Sequence, residues 1–509
     1  MDNFSHDFFL ILPQVELALF GLAILMFDFM LGVRDKTGNA VFAMMGVVFS
    51  GISLYRLHRL GPEPVGGFTS SIVVDPFFVF FGMIFLAALA LVILLSVRYL
   101  QIEEEHHGEY YALLLFATVG MMFMASGYDL IVQFLGLETM AISFYILAGF
   151  LRGERRSNEA AVKYLLLGAF SSGLLAYGFS LLYGISAMAD VRGPMGMPLM
   201  LPRTNIDVIR AALEQRGPAD LLVVLAIATV AAGLFFKVAA VPFHQWAPDV
   251  YEGAPTTITA YISVASKTAS FALLLRLFIY GFWPVRVNWI EIIAAVAVAS
   301  LTIGNFAALT QTNVKRLLAY SSISHAGYIL LGLVAALSGP EGNATGLTGI
   351  AFYLFAYAFM TAGAFAIVIV LRRQGLIGDE LDDMNGLYQR SPAAAVLLLI
   401  FMLSLAGIPP LAGFVGKYYI FLALIQTGHY YLAIFGALYI VPALYYYFRV
   451  VVHAWLREPG AAAEMRVTPA QSVALAVMCA VTVVAGIYPE PFIQMATHSL
   501  SLPAAILGR

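Results

Sequence analysis

The sequence contains little charge and almost no cysteine. Of its 509 residues, 61% are hydrophobic and only 11% are charged, whereas about a quarter of the residues in a typical soluble domain are charged. The single cysteine, Cys479, excludes an intramolecular disulfide and an iron–sulfur cluster ligated by this chain alone, so any electron-transfer chemistry must lie elsewhere. The net charge is −3 and there is no long basic block, so nothing indicates nucleic-acid binding. This composition is typical of an integral membrane protein.

Long apolar runs follow one another along nearly the whole chain. Each is close to the roughly 20 residues that a helix needs to cross a hydrocarbon core about 30 Å thick. Because the runs are continuous and longer than barrel strands, they favour a helical bundle over a β-barrel. We therefore predict an all-α integral membrane protein with about fourteen transmembrane helices. Their predicted limits are 8–32, 40–57, 72–97, 110–127, 129–150, 161–186, 219–241, 256–282, 290–311, 317–338, 345–372, 392–427, 430–455 and 470–488.

Lys and Arg are unevenly divided between the two sets of loops that alternate along the chain. One set carries 15 of these residues and the other carries 8. The positive-inside rule assigns the richer set to the cytoplasm. Since the number of spans is even, both termini are predicted to lie on the opposite side, in the periplasm or outside the cell.

The longest polar segment between spans is 187–218. Within it, Ile206, Ile209, Ala212 and Leu213 recur at helical spacing with charges between them, which is typical of a short helix lying on a surface. A solvated linker is an alternative interpretation.

Four basic residues fall inside predicted spans: Lys237, Lys267, Arg276 and Lys417. Arg276 lies toward the end of its span, so we expect it to snorkel to the membrane surface. The three lysines lie deeper, and facing lipid would cost on the order of 8–10 kcal/mol for the set, comparable to the stability of a whole domain. We predict that they face the bundle interior or water, with Glu138 as the accompanying buried anion.

A buried lysine near a carboxylate has two interpretations. It can be a structural ion pair that only holds helices together. Alternatively, it can carry protons, because burial weakens the lysine's hold on its proton and a nearby carboxylate strengthens it. Moving the carboxylate would then switch the lysine between holding and releasing a proton. A series of charges on successive spans favours this second interpretation.

Other polar residues within the spans are weaker candidates. His325 lies mid-span with Ser321, Ser322 and Ser324 nearby, and this group either extends a hydrogen-bonded path or contains an ordinary core histidine. Lys163, near the start of a span, is a candidate to project inward toward Glu138.

Several acidic residues also fall in or near the predicted spans. Asp28, Asp75 and Asp129 lie near span ends, where helix capping or interfacial hydration explains them. Glu16, within the first span, is interpreted as an interhelical contact.

Two spans are interrupted by proline. The seventh holds Lys237 and continues past Pro242, and the twelfth holds Lys417 and passes through Pro409 and Pro410. Because proline removes a helical hydrogen bond, both are predicted to be discontinuous helices. The two interrupted spans are five apart. Because successive spans cross the membrane in opposite directions, a repeat of five helices is inserted with the opposite orientation. Paired breaks of this kind in inverted repeats indicate an ion pathway. The predicted divisions are 1–108 (three helices), 109–283 and 284–456 (the two repeats), and 457–509 (a last helix and tail).

Three segments carry a resemblance to a known family. They are FFKVAAVPFHQWAPDVYEGAPTTITAYISVASKTASF, LAGIPPLAGFVGKYYIF and LGLETMAISFYIL. They resemble the antiporter-like subunits of bacterial NADH-quinone oxidoreductase, respiratory complex I. Within that group, VYEGAP and a lysine in the twelfth span are typical of subunit N.

The resemblance implies a proton-translocating subunit of a bacterial inner membrane, with no metal or cofactor site of its own. NADH, FMN, iron–sulfur clusters and quinone would be bound by partner subunits: neighbouring membrane subunits and, through them, a hydrophilic arm.

The resemblance also implies roles for individual residues. Glu138 would be the fifth-span carboxylate and Lys163 its modulator. Lys237 would be the seventh-span lysine, Lys267 and His325 the central relay, and Lys417 the terminal lysine. The working hypothesis is that a Glu138–Lys237 charge pair drives a proton along this series.

Three alternatives remain open at the level of sequence. The chain could be a subunit of a cation/proton antiporter, in which Na⁺ could replace H⁺. It could belong to the plastoquinone-linked homologue of the oxidoreductase. It could also be a scaffold whose charges are fixed structural pairs.

Overall fold

Helices make up most of the chain in the computed structural model, which describes residues 3–30, 36–191, 201–339, 341–372, 378–459 and 467–500. Part of the predicted 187–218 segment, residues 192–200, lies outside the described residues, as do five of the loop cations, Arg34, Arg192, Arg373, Arg466 and Arg509. The helices are α1 (Asn3–Leu10), α2 (Leu12–Phe27), α3 (Thr37–His58), α4 (Pro76–Glu103), α5 (Gly108–Ser126), α6 (Leu130–Ala148), α7 (Arg155–Met188), α8 (Ile206–Arg216), α9 (Leu221–Lys237), α10 (Trp246–Gly253), α11 (Thr256–Tyr261), α12 (Lys267–Leu275), α13 (Val287–Leu309), α14 (Val314–Leu337), α15 (Ala344–Leu371), α16 (Leu387–Arg390), α17 (Pro392–Ala406), α18 (Ala412–Gln426), α19 (Tyr430–Leu438), α20 (Ile440–Leu456), α21 (Pro469–Ile487) and α22 (Glu490–Ser499).

Twelve helical stretches within the described residues are long and apolar enough to cross a membrane. The helices α9, α17 and α18 are apolar but shorter. The prediction of an all-α membrane protein is therefore confirmed. The total of about fourteen requires α9 with α10, and α17 with α18, to be counted as one interrupted crossing each, and it stays a prediction.

A short β-hairpin separates α3 from α4. Strands β1 (Val65–Gly67) and β2 (Ile72–Val74) pair antiparallel, with Val65 opposite Val74. The predicted span 72–97 therefore begins too early. The helix starts at Pro76 because Asp75 caps it, accepting a hydrogen bond from the Phe78 N–H at 2.8 Å.

Both predicted helix breaks are present. The first separates α9, which ends at Lys237, from α10, and the turns between them contain Pro242. The second separates α17 from α18 and contains Pro409 and Pro410. The two interrupted helices also have similar neighbours, since α7 packs on α9 and α10 as α15 packs on α17 and α18. This similarity supports the inverted repeat, which remains a prediction.

The last span of the first predicted unit is buried along its whole length. It runs as one helical stretch from Thr256 to Gly281 and contains two π turns, Ile262–Ser266 and Arg276–Gly281. Lys267 directly follows the first π turn. This stretch packs against α15, which is itself buried along its length. Lys267 is therefore held in the interior of the bundle, as predicted.

The helix predicted within 187–218 is α8. Its residues Ile206, Ile209, Ala212 and Leu213 are all buried, and Asn205 caps it. The solvated-linker interpretation is therefore wrong for this stretch, because one face of α8 packs against the protein.

Arg276 does not snorkel to the membrane surface. Its side chain is fully buried and forms two hydrogen bonds with Asp75, of 2.6 Å and 3.0 Å. It also donates to the Ala125 carbonyl and lies 4.1 Å from the centre of the Phe77 ring. The prediction was wrong because a buried carboxylate partner removes the need to reach water. Asp75 thus both caps α4 and neutralises Arg276.

The other acidic residues near span ends have local roles. Asp129 caps α6 through the Ile131 N–H, as expected. Asp28 accepts a hydrogen bond from Asn39 and pairs with Lys36 at 3.0 Å. Glu16 accepts a hydrogen bond from Ser53 of the neighbouring α3, which confirms the interhelical contact.

Candidate functional site

Lys237 lies at the C-terminal end of α9 and is only 5% exposed. Its Nζ lies 3.4 Å from the Tyr145 hydroxyl and 3.3 Å from Ser172 Oγ. No carboxylate of a described residue forms an ion pair with it. The end of the helix provides partial compensation, because the C-terminal end of a helix dipole carries partial negative charge.

Glu138 lies on α6 and is half-buried. It lies seven residues before Tyr145 on the same helix, which is about two turns, so the two share a face. The predicted direct pair between Glu138 and Lys237 is not formed in this structure. Tyr145 and Ser172 contact the ammonium instead. No described residue donates a hydrogen bond to Glu138 Oε1, which is buried.

Lys163 does not project toward Glu138. Its Nζ lies 2.6 Å from Asp249 Oδ2 and 2.8 Å from Glu159 Oε1, and its side chain is 41% exposed. Asp249 also pairs with Arg316 of α14 at 2.8 Å. The predicted contact between Lys163 and Glu138 is not formed, because α10 places Asp249 next to the first turns of α7, within ion-pair distance of Lys163.

Lys267 is buried against the middle of α14. Its Nζ donates to the Ser322 carbonyl at 2.8 Å and contacts Ser322 Oγ as well. The same Oγ accepts a hydrogen bond from Tyr357 at 2.8 Å and lies 3.4 Å from the Tyr251 hydroxyl. Ser322 is therefore the junction between the central lysine and two buried tyrosines.

His325 lies one turn further along α14, and both of its ring nitrogens are hydrogen-bonded. Nδ1 lies 2.6 Å from the Tyr353 hydroxyl and Nε2 lies 3.0 Å from the Tyr447 hydroxyl. Ser321 contacts the same Tyr447 hydroxyl. Ser324 points away from this group and accepts a hydrogen bond from Asn305. Of the three serines near His325, two therefore join the polar path.

Lys417 lies on α18 and reaches back across the second helix break. Its Nζ donates to the carbonyls of Leu405 at 3.2 Å and Ala406 at 2.8 Å. These carbonyls lie in the last turn of α17, where backbone acceptors have no partner within the helix. The ammonium also lies 4.8 Å from the centre of the Tyr328 ring, in a cation–π contact.

Aromatic side chains lie between Lys237, Lys267, His325 and Lys417. Tyr145 packs against Tyr164, with ring centres 4.9 Å apart, and Tyr164 stacks on Trp246 at 4.7 Å. Trp246 in turn contacts the ring of Tyr251, whose hydroxyl lies beside Ser322. On the other side, Tyr353 stacks on Tyr328, with ring centres 6.4 Å apart. Lys237, Lys267, His325 and Lys417 therefore form one row through the core, with tyrosine hydroxyls and aromatic rings between them.

Sequence reasoning missed these tyrosines. Tyrosine occurs 26 times in the chain, and within a hydrophobic run it cannot be distinguished by sequence from the apolar residues that form the core. A signal was nevertheless present, because Tyr353 and Tyr357 are four residues apart and must share a helix face.

The proline breaks leave few polar groups unsatisfied. The Val241 N–H beside Pro242 donates to Ser300 Oγ at 3.0 Å, and Trp246 donates from its indole to the Phe236 carbonyl at 2.9 Å. At the second break, before Pro409 and Pro410, Lys417 itself takes up the free carbonyls. Among the described residues, no cluster of three His, Cys, Asp or Glu side chains is placed to hold a metal ion.

Comparison with known proteins identifies the family. The family model for the transmembrane region of NADH:quinone oxidoreductases and Mrp antiporters matches residues 127–441. NADH-quinone oxidoreductase subunit N 2 of Solibacter usitatus is 52% identical, over 97% of this chain and 98% of its own length. The chain belongs to the NADH-quinone oxidoreductase subunit N family. Subunit N 1 of Koribacter versatilis is 50% identical, over 99% of this chain and 97% of its own length.

Solved structures agree with membership of the subunit N family. A chain of respiratory complex I from Thermus thermophilus, solved with bound aureothin, is 29% identical, with a TM-score of 0.76 over 95% of this chain and 99% of its own. A chain of the Mrp complex from Dietzia sp. DQ12-45-1b has a TM-score of 0.80 at 20% identity, over 96% of each chain, and shows the shared fold alone. As a subunit N family member, this chain is a multi-pass membrane protein of a respiratory complex, as the sequence resemblance implied.

Proposed function

We propose that this chain moves protons across a bacterial inner membrane as a subunit of an H⁺-translocating NADH-quinone oxidoreductase. Electrons pass from NADH through FMN and iron–sulfur centres to quinone, all bound by other subunits of the complex. This chain supplies a proton path beside neighbouring membrane subunits, and both of its termini lie in the periplasm. The predicted units 109–283 and 284–456 are its two inverted halves, flanked by 1–108 and 457–509.

The observation that carries the proposal is the row formed by Lys237, Lys267, His325 and Lys417. All four groups are buried, at 5% exposure or less, and no described carboxylate forms an ion pair with any of the three lysines. Arg276 shows what a structural pair looks like in the same molecule, since two hydrogen bonds fix it to Asp75. The lysines lack that fixation, so the proposal assigns them to proton transfer rather than to holding helices together.

In the proposed mechanism, Glu138 controls the proton on Lys237. Bringing the carboxylate closer stabilises the charged ammonium, and moving it away or neutralising it favours release. The released proton passes Tyr145 and Tyr164 toward Lys267. Moving one charge against 100 mV requires about 2.3 kcal/mol, so a modest rearrangement of this pair is energetically sufficient.

Beyond Lys267, the proposed route continues through Ser322 and Tyr357 to His325. Hydroxyl groups suit this role because each can both donate and accept a hydrogen bond. His325 is a natural intermediate carrier because the acceptor nitrogen of its neutral ring can take up a proton, which makes both nitrogens donors, and the other nitrogen can then release its own proton. The route ends at Lys417, beside the second helix break.

The test uses inverted membrane vesicles carrying the assembled complex. NADH oxidation and proton uptake are measured together, so that protons moved per electron pair can be calculated. We expect Lys237→Ala and Glu138→Gln to lower this ratio or to abolish turnover, while Arg155→Ala, which changes an exposed cation outside the row, leaves both unchanged. Fully assembled variants that pump with the wild-type stoichiometry would disprove the proposed role of Glu138 and Lys237.

A cation/proton antiporter subunit is the second candidate, because the matching family model includes the Mrp antiporters. Sodium-dependent proton movement in membranes that lack the dehydrogenase would favour it. Gentle purification separates the remaining possibilities, since the co-purifying subunits and quinone distinguish the NADH-linked complex from a plastoquinone-linked homologue.

A further inference from the structure

An apolar groove lies on the outer surface of the N-terminal helices, away from the proposed proton path. It has a volume of about 630 Å³ and is formed by α3, α4 and the start of α21. Its walls are almost entirely hydrophobic and include Val41, Met44 and Val48 of α3 and Leu94 of α4. Val41 and Val48 are each more than half exposed, so this face is available to a molecule in the membrane.

One end of the groove is polar and carries a positive charge. Arg98 and Gln101 of α4 line that end, together with Thr468 at the start of α21. Of the described residues that line the groove, only Arg98 is charged. Its side chain is exposed, and no described residue forms a hydrogen bond or ion pair with it.

The length of the groove matches one leaflet of a bilayer. Arg98 follows Pro76, the first residue of α4, by 22 positions, which at 1.5 Å per residue places it about 33 Å along the helix. That distance slightly exceeds the hydrocarbon thickness of about 30 Å, so Arg98 lies at the level of the headgroups. The groove then follows α3 from Thr37 to Phe49, about 18 Å, close to the half-thickness of the hydrocarbon core.

We propose that this groove binds one anionic phospholipid, with its acyl chains along α3 and α4 and its phosphate at Arg98. Three observations point to this occupant rather than to a protein segment. The walls offer almost no hydrogen-bonding groups, the one charge lies at headgroup depth, and that charge has no partner among the described residues. Basic residues at this level of a membrane protein recognise anionic headgroups.

The test is native mass spectrometry of the full-length chain after delipidation and incubation with phosphatidylglycerol or phosphatidylcholine. We expect one retained phosphatidylglycerol per chain, bound about five-fold more tightly than phosphatidylcholine. Arg98→Gln should abolish that preference, and Val97→Trp, which fills the groove, should abolish binding of both lipids. Arg155→Gln, an exposed arginine outside the groove, is the matched control and should bind like wild type.

Gel filtration of each variant confirms that a loss of lipid does not reflect misfolding. Equal retention of the two lipids by the wild-type chain would overturn the proposal, as would unchanged retention in both groove variants. In the intact complex, a photoreactive amino acid at position 41 should crosslink to lipid. Capture of a protein subunit there would show that a protein covers the groove and would also overturn the proposal.

Discussion

The ammonium of Lys417 lies 2.8 Å from the carbonyl oxygen of Ala406, the last residue of α17. The lysine and the carbonyl are on opposite sides of the second helix break. The break therefore creates the site: it frees the carbonyls of α17 from helical hydrogen bonding and turns them toward a side chain on α18. In the first interrupted helix, Lys237 likewise lies at the end of α9, directly before the break.

Gly407 is expected to be essential for placing Lys417. It has a φ of 88°, and a Cβ built on it would lie 2.8 Å from Lys417 Cδ and 3.0 Å from Nζ. Gly407→Ala therefore imposes about 1–2 kcal/mol of backbone strain and also pushes the lysine away from the Ala406 carbonyl. We expect fewer protons pumped per NADH oxidised, measured in inverted vesicles.

Gly428→Ala is the matched control for backbone strain. Gly428 has a φ of 80°, but a Cβ added there would meet no atom within 4 Å, so the substitution costs similar strain without touching a lysine. Pumping in this variant should stay close to wild type. If the two alanine variants lose pumping equally, strain alone explains the effect and the contact with Lys417 is unimportant.

Ser322→Ala is expected to weaken the centre of the row. The change removes the hydroxyl that Lys267, Tyr357 and Tyr251 share, whereas the Ser322 carbonyl remains bonded to Lys267. A hydrogen bond to a charged group contributes about 1.5–3 kcal/mol, so we expect roughly a ten-fold or greater loss of proton-pumping rate. Ser324→Ala, on the same helix but bonded to Asn305, should change the rate much less; equal effects would exclude a specific role for Ser322.

Asp249 is expected to couple the first half of the chain to the second. It binds Lys163 of α7 and Arg316 of α14 at the same time, and its removal leaves each cation with a partner on its own side only, Glu159 for Lys163 and Glu252 for Arg316, so the link between the two helices is lost. We expect Asp249→Asn to slow NADH-driven pumping in assembled complexes. Glu159→Gln removes only the exposed partner of Lys163 and should have little effect, because exposed ion pairs contribute about 0–1 kcal/mol. A larger defect in Glu159→Gln than in Asp249→Asn would contradict this assignment.

The Arg276–Asp75 pair is expected to determine stability rather than pumping. Removing one partner of a buried pair costs about 3–5 kcal/mol, so Arg276→Gln should strongly lower the melting temperature of the detergent-solubilised chain, measured by size-exclusion chromatography after heating. The double variant Arg276→Met with Asp75→Asn leaves no buried charge and keeps a capping side chain. It should recover much of the loss; a double variant less stable than Arg276→Gln would show that the charge pair is not the cause.

The spans and helix breaks could be predicted because their signals are local. An apolar run of sufficient length indicates a crossing, and proline within it indicates an interruption. The three deep lysines were placed correctly in the interior because the cost of exposing them to lipid depends only on depth. The local signal failed at residue 72, where a β-hairpin intervenes and Asp75 sets the start of α4.

The partners of the charges could not be predicted, because they lie far away in sequence. Asp75 is 201 residues from Arg276, and Asp249 is 86 residues from Lys163. The sequence predicted that Arg276 reaches the membrane surface and that Lys163 points toward Glu138. In the structure each residue instead binds a carboxylate that is distant in sequence and is brought close by the fold. The tyrosines of the row were missed for a different reason, since their hydroxyls become functional only where the packing aligns them.

The free carbonyls at the end of α17 have a consequence for substitution at position 417. Two carbonyl oxygens accept hydrogen bonds from that side chain. Their partial negative charges favour a positively charged side chain at this position and disfavour a negatively charged one. A carboxylate placed there would face the negative end of the helix and find no donor among these groups. Replacing Lys417 by an acidic residue therefore requires a different backbone conformation at the end of α17. The charge of the side chain at position 417 and the geometry of the helix break have to change together.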